Sequence, residues 1–497
     1  MALLDPIRKL GLRMNGLTPA ANHDLIRQLA AAIDGNRDDY RRYQNYYDGD
    51  HETRLTDRAK KYLEASGLRW SENFCETIID VYAERLSVTG FTSSLAEDTE
   101  DDTGAKTTAD PLGEAFADWW QRNRMDAIQT DVHTSCLVKR DAYLIAEWDA
   151  QHARPRYVFN RPEMIHPVYA DDGQTLLRLA KKWHATTVGP QNPDGRTIVR
   201  LNVYYPDRVE KYFSLSGDSE ALWATWQDEG DVGWPVPWID GADVPLGIPV
   251  FHFRNKPLGH ALGRSELRNV IPGQDALNKL ILDLNAFCDN VAVPQDWATG
   301  VTSDSNTFTR AHDIWSAQDK DARFGRLEAG DGAALLQAIE QTLSRMARRS
   351  RTPLHLLTGG DMPSGESLKA AEAGLVAKVE SAQVWLGNVW EDAMLFGLRL
   401  AQTFGELPKG VSLDPSAEVL AFSQWKDPES RNDKEQWEVA ALQHDAGVSR
   451  YTILAERGYD PAEEAIRRST ETVQAQEALE TFMANGEATA PTDRFQR

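Results

Sequence analysis

Histidine and cysteine are the residues best suited to metal or nucleophilic chemistry, and the eleven histidines and three cysteines of this chain are spaced for neither. There is no HExxH and no other paired histidine spacing suited to zinc. His133 and Cys136 lie three apart, on one helical face, but two residues do not make a site. Asp48, Asp50 and His51 cluster around Gly49 without the further oxygen ligands of a calcium loop, so they read as a helix-terminating turn. A glycine-rich phosphate loop with its lysine and hydroxyl is absent, which leaves ATP hydrolysis by this chain without a basis, and no G-x-S-x-G elbow occurs. Carboxylates are abundant, but abundance selects no pair, so an acidic hydrolase stays open as a reading. No catalytic residue, metal or cofactor is assigned.

The remaining charged cluster is Arg345, Arg348, Arg349 and Arg351, at the end of a predicted helix, where the macrodipole alone favours cations. A formal charge of −22 argues against a protein that grips nucleic acid by neutralising phosphates. It is compatible with one that lets nucleic acid pass without sticking. Cys75, Cys136 and Cys288 sit far apart, each beside apolar residues of a predicted helix, and read as buried thiols without disulfides. With 497 residues, 41% of them hydrophobic and 26% charged, the chain has room for two to four domains. No apolar run is long enough to span a bilayer, and the first residues lack a secretory pattern, so synthesis in a cytoplasm is expected.

The elements that would position these residues follow from periodicity. Residues 22–47 carry Leu25, Leu29, Ile33, Tyr40, Tyr43 and Tyr47 on one helical face, and 73–86 carry Phe74, Ile78, Val81, Tyr82 and Leu86 on another. Residues 93–110 are acidic and aperiodic, a mobile loop by composition. Trp119 and Trp120 open a helical region reaching Lys139. From Ala142 to Asn255 the period falls to two, with AYLIAEW, LLRLAKKW, TIVRLNV, VYYPDRVEKYF and IPVFHF as strands of an antiparallel sheet.

Residues 263–300 then predict a long amphipathic helix ending at Pro294, with Leu277, Leu280, Ile281, Leu284, Phe287, Cys288 and Val291 on its apolar side. Asp275, Lys279 and Asp283 fall between them. Residues 295–330 hold isolated apolar points spaced for short strands and turns, and a second helix runs from an Asp331 cap to about Arg349. The Gly- and Pro-rich stretch 352–364 is a loop. After it, Leu368, Ala371, Leu375, Val379, Ala382, Leu386, Val389, Ala393 and Phe396 keep helical spacing to about residue 402. The acidic remainder predicts further helices, around Trp437, from Ser449 and from Asp460. Their helix, Gly447 turn, helix pattern lacks the basic side chains of a DNA reader.

In order, YYDGDH (46–51), SENFCETIIDVYAERLSVTGF (71–91), VYYPDRVEKY, PLGIPVFHFRNKP (245–257), GRSELRNVIPGQDALNKLILDL and SGESLKAAEAGLVAKVE resemble the portal proteins of tailed bacteriophages, of the SPP1-like portal family and its actinobacteriophage type. The resemblance implies an α+β portal fold: an α/β wing over 1–262 with a disordered start, a two-helix stem (263–293 and 331–351), a small α/β clip (294–330), a tunnel loop (352–364), a long wing or spine helix (365–403), a helical crown (404–486) and a disordered tail (487–497). It implies a homo-dodecameric, non-enzymatic ring at one capsid vertex of the virion. Double-stranded DNA would pass through it non-specifically, and the partners would be the terminase large subunit, a head-completion adaptor, and the major capsid and scaffolding proteins, with no membrane. On that likeness Arg348, Arg349, Arg351, Thr352, His355, Thr358, Gly359, Gly360, Asp361, Ser364 and Lys369 would line the DNA channel near the tunnel loop. Asp275, Lys279 and Asp283 would face the channel or a neighbouring stem, and Trp297, Ile314 and Trp315 would belong to the clip. A structural adaptor or minor capsid protein without a channel remains the alternative.

Overall fold

The computed structural model describes residues 23–51, 61, 72–100, 106–186, 192, 195–215, 222–292, 296–299, 321–326, 332–359, 365–412, 418–429, 433–445, 447 and 453. The predicted termini at 1–22 and 487–497 lie outside these, as do the helices expected from Ser449 and from Asp460. The chain forms two compact units, Met1–Pro428 and Glu429–Arg497.

The first unit mixes helix and sheet, as the change of period along the sequence requires. Helix α1 (His23–Tyr47) buries Ile26, Leu29, Ala30, Ile33, Tyr40 and Tyr46. Helix α2 (Phe74–Ala83) is capped by the Asn73 side chain, which accepts from the Glu76 amide. Strand β1 (Val88–Ser93) leads into β2 (Glu97–Glu100) and β3 (Lys106–Ala109), which pair antiparallel. The stretch expected to be a featureless loop therefore contains a strand pair, because Thr99, Thr107 and Thr108 supply β-formers that acid content obscured. Helix α3 (Pro111–Arg122) starts where Asp110 accepts from the Gly113 amide and Pro111 occupies the first turn. Trp119 and Trp120 lie at its end instead of opening the region. Arg124, in the left-handed conformation, then separates α3 from α4 (Met125–Lys139).

The strands fall into two main sheets instead of one. Strands β4 (Asp141–Asp149), β5 (Arg154–Asn160) and β12 (Val250–Arg254) pair in the order β12-β4-β5. Strands β6 (Ile165–Tyr169), β7 (Leu176–Ala185), β8 (Ile198–Tyr204), β9 (Arg208–Ser214) and β10 (Ala224–Thr225) form an antiparallel meander, and β11 (Val236–Pro237) adds to β9. Apolar residues of α1 pack against this meander through Ala180, Val199, Leu201, Val203 and Tyr212. Arg200 lies between Trp183 and Trp226, 5.2 and 4.5 Å from the ring centroids, and forks onto Asp228 at 2.9 and 3.1 Å. A fully buried Asp141, at the start of β4, ties the β12-β4-β5 sheet to α1. It accepts from the Tyr40 hydroxyl (3.0 Å) and the Gly263 amide (2.9 Å), and lies 2.9 Å from His252 Nε2 and 3.2 Å from Arg140 Nε.

The second half begins with a 3-10 turn, Glu266–Asn269, and α5 (Ile271–Ala292). The helix thus starts at Ile271 and not at Gly263. Gly263 is held by the Asp141 carboxylate, and a Cβ there would lie 2.1 Å from the Arg140 carbonyl oxygen, so its backbone is committed elsewhere. Strands β13 (Asp296–Thr299) and β14 (Arg323–Arg326) pair antiparallel. They are followed by α6 (Ala333–Ser350), the short α7 (Leu354–Thr358) and the 40-residue α8 (Gly365–Phe404). Helix α6 begins at Gly332 without a side-chain cap, and Asp331 lies outside the described residues. Downstream, where only helix was expected, β15 (Ala421–Trp425) pairs with β1. A five-residue strand whose partner lies more than 300 residues upstream leaves little local trace. The second unit contributes α9 (Asp433–Asp445), on which Trp437 and Leu442 are exposed.

Candidate functional site

The region that the sequence singles out is built on α5, α6, α7 and α8. The start of α5 meets the end of α6: a Cβ added to Gly273 would lie 2.5 Å from Met346 Cγ. At the other end a Cβ on Gly332, just before α6, would lie 2.9 Å from Phe287 Cε1. The two helices therefore run antiparallel, and β13 and β14 extend from their shared far end. Trp297 and Gly325 are cross-strand partners with the indole lying over the glycine, and Trp297 is 41% exposed. Ile314 and Trp315 lie outside the described residues.

Leu277 and Ile281 of α5 join the main core with Leu343, Met346 and Ala347 of α6. Further along α5, Asp283 and Cys288 are exposed. The exposure of Cys288 goes against the expectation of three buried thiols, while Cys75 and Cys136 are buried. Burial pushes the Cys75 thiol up to about 12, with the nearby Asp275 charge adding to the effect.

Polar residues anchor α5 to the amino-terminal helices. Gln274, fully buried, accepts from the Phe74 amide at 3.0 Å and donates to the Glu72 carbonyl, so it caps α2 from another element. It also donates to Asn278 at 3.2 Å. Asn278 in turn donates to His51 Nδ1 at 3.0 Å, and His51 Nε2 donates to the Tyr46 carbonyl at 3.0 Å. His51 therefore serves as a structural link with its two nitrogens in opposite roles. Asp275 accepts from the Tyr46 hydroxyl at 2.7 Å. Lys279 and Asp283 are exposed.

His133 is likewise structural. Its Nδ1 donates to the Leu86 carbonyl and its Nε2 accepts from the Trp390 indole, both at 3.0 Å. Cys136 Sγ donates instead to the Phe253 carbonyl at 3.4 Å. Among the described residues no group of three or more His, Cys, Asp or Glu is arranged to hold a metal ion, and no helix is long and apolar enough to cross a membrane.

The stretch after α6 is not all loop. Arg351 ends α6 in the left-handed conformation, Thr352 is buried, and Leu357 buries the single turn of α7, closed by Gly359 at φ +60°. His355 lies 3.8 Å from the buried Glu372, which also faces Arg85 at 3.5 Å. Thr358 and Gly359 are exposed, as are Arg348, Arg349, Arg351 and Lys369. Gly360, Asp361 and Ser364 lie outside the described residues.

Behind this turn is a charged junction that periodicity did not reveal. Glu266 bonds Lys378 at 2.8 Å and pairs with Lys256, while Asn255 donates to it at 2.9 Å. Although burial alone would raise it, the two lysines hold its carboxyl down at about 2. Lys378 is buried, donates to the Ser350 carbonyl at 3.1 Å and sits 4.0 Å over the Tyr82 ring. The available signal was position: Lys378 lies three after Leu375 and four before Ala382, on the apolar stripe of α8.

A family model for the phage portal protein, SPP1 Gp6-like, matches residues 26–478, so its match spans α1, the α5 and α6 pair, the β13 and β14 pair, α8 and α9. The chain belongs to this phage portal family. A portal protein of Mycobacterium phage D29 is 24% identical over 417 residues, covering 78% of this chain and 76% of its own length. One from Mycobacterium phage L5 is 24% identical over 376 residues, covering 70% and 67%. In this member of the portal family, Gln274 and Asn278 anchor α5 to the chain around the start of α2 and the end of α1, and Lys378 of α8 binds Glu266 of the 3-10 turn and the Ser350 carbonyl at the end of α6.

Proposed function

We propose that twelve copies of the chain close into a ring at one capsid vertex of the virion, through whose centre double-stranded DNA enters during packaging and leaves on ejection. The antiparallel α5 and α6 act as the stem around the channel, and the end carrying β13 and β14, with Trp297, as the clip that contacts a head-completion adaptor. Helix α8 is the spine of the wing, and the region after residue 404 leads to the crown. The role is structural, with the packaging force supplied by a separate terminase and assembly guided by major capsid and scaffolding proteins. Residues 352–364 with Arg348, Arg349, Arg351 and Lys369 are the channel face nearest the duplex.

The observation that carries this reading is the family match running through an antiparallel helix pair, the strand pair at its end and the 40-residue helix that follows. The charge of −22 supports it physically, because an acidic channel repels phosphates and lets DNA slide. Negative-stain microscopy of the purified chain, with scaffolding protein present, tests it: rings of about twelve subunits with a central hole are expected. Solid or open assemblies without a hole would instead favour an adaptor. Neutralising Arg348 and Lys369 together should alter DNA packaging or retention while rings still form.

A further inference from the structure

A cleft of about 350 Å³ opens where the 3-10 turn Glu266–Asn269, the end of α6 and the middle of α8 meet. Five cations line it, Lys256, Arg264, Arg349, Arg351 and Lys378, against the single anion Glu266. Glu266 is already engaged by the two lysines. Among the described residues Arg349 reaches only a carbonyl, that of Asn269 at 3.4 Å, and neither Arg264 nor Arg351 pairs with an acid. Elsewhere in this acid-rich chain arginines such as Arg85, Arg140, Arg200 and Arg208 all face carboxylates. Lys378 is shifted below the usual lysine range, chiefly by burial, with Lys256 and Arg351 adding repulsion and Glu266 opposing it. The cleft is thus a concentrated positive site with donor-only arginine forks at its rim.

A cleft of this size admits side chains presented from its mouth. A B-form duplex is too wide to enter and could touch only the rim. Carboxylate side chains carried on a strand at the mouth can reach further in, towards Lys378. The chain carries such a strand: Glu97, Asp98, Glu100, Asp101 and Asp102 place five acids within six residues, and β2 gives Glu97–Glu100 an extended backbone. In a ring of identical subunits each contact joins two different patches, so a basic cleft on one copy and an acidic strand on the next suit such a contact.

We infer that the cleft is a docking site for the acidic segment 97–102 of a second copy of this chain. This rests on the reading that copies assemble, but the cleft can be tested without a ring. A fluorescein-labelled peptide of residues 94–104 is titrated into the full-length chain by fluorescence anisotropy, at low and at about 0.15 M ionic strength. Binding that weakens with salt is expected. It should fall roughly tenfold or more in Arg349→Glu/Arg351→Glu and change by no more than about threefold in Arg349→Lys/Arg351→Lys, which keeps the charge. A peptide with its acids changed to Asn and Gln should not bind.

Absence of binding to the wild-type chain, or equal binding by the charge-reversed variant, would overturn the inference. So would displacement of the peptide by a short DNA duplex at lower concentration than by unlabelled peptide, which would make phosphate the occupant. Rings that form while the peptide ignores the reversals would sink the cleft and leave the portal reading intact. Reversal-sensitive peptide binding without any ring would do the opposite.

Discussion

The Tyr46 hydroxyl donates to the Asp275 carboxylate at 2.7 Å, which fastens the last turn of α1 to the first turns of α5. Burial first, and then this hydrogen bond and the Asp275 charge, raise the Tyr46 phenol above its usual range, so it remains a donor at any working pH. A bond to a charged acceptor in a half-buried setting contributes about 1–2 kcal/mol. Tyr46→Phe should therefore lower unfolding stability by that amount in urea titrations, with the m-value unchanged. Unchanged stability combined with impaired assembly would mean that Asp275 serves a neighbouring subunit instead.

His133 makes stability depend on pH in a defined window. Burial holds its folded value at about 4, against an ordinary 6.5. As pH falls the unfolded chain takes up this proton before the folded one does. The stabilisation from neutral burial is complete above about 6.5 and is lost as pH drops towards 4, to a total of about 3 kcal/mol. His133→Gln keeps a donor and an acceptor for the Leu86 carbonyl and Trp390 but does not titrate. The difference in stability between wild type and this variant should shrink across that window, and a constant difference would show that His133 does not titrate as buried.

Two glycines of the same region should respond oppositely to alanine. At Gly263 the added carbon would lie 2.1 Å from the Arg140 carbonyl and 2.8 Å from the Asn255 amide, all backbone. Gly263→Ala should cost about 3 kcal/mol or more and reduce soluble yield. Gly374, within α8, has nothing within 4 Å of a Cβ. Gly374→Ala should stabilise by about 0.5–1 kcal/mol through helix propensity alone. Thermal unfolding of both variants reads the contrast directly.

Periodic apolar residues made most of the scaffold legible. Leu375, Val379, Ala382, Leu386 and Ala393 keep one face of α8, and all are fully buried. The alternation in LLRLAKKW and TIVRLNV likewise marks β7 and β8. What stayed hidden depends on distant partners. Nothing near Ala421–Trp425 announces a pairing with β1, and acids masked the β2 and β3 pair. Leu357 buries a helical turn inside a stretch that glycine and proline marked as loop. In the candidate site the exposed arginines were visible as a cluster, whereas Gln274, Asn278, Glu266 and Lys378 were not. Their importance comes from burial against chain more than 100 residues away, which no local pattern encodes.

The Glu266 and Lys378 pair allows a decisive separation of charge from shape. The two groups meet at 2.8 Å with side chains 9% and 4% exposed, so removing either partner strands the other away from water. Lys378→Met should cost about 3–5 kcal/mol, because Glu266 keeps only Lys256 and Asn255 as partners. Glu266→Gln should cost somewhat less, since its amide oxygen can still accept from Lys378, which also keeps the Ser350 carbonyl and the Tyr82 ring but loses its counter-charge. The double variant leaves no stranded charge and should recover much of that loss. Glu266 is held at about 2, below an ordinary carboxyl, so its contribution is complete above about pH 4.5 and is lost as pH falls towards 2. A double-mutant cycle at neutral pH measures the coupling. Strictly additive losses would show that the two charges act independently, with Lys256 and the Ser350 carbonyl sufficient for each.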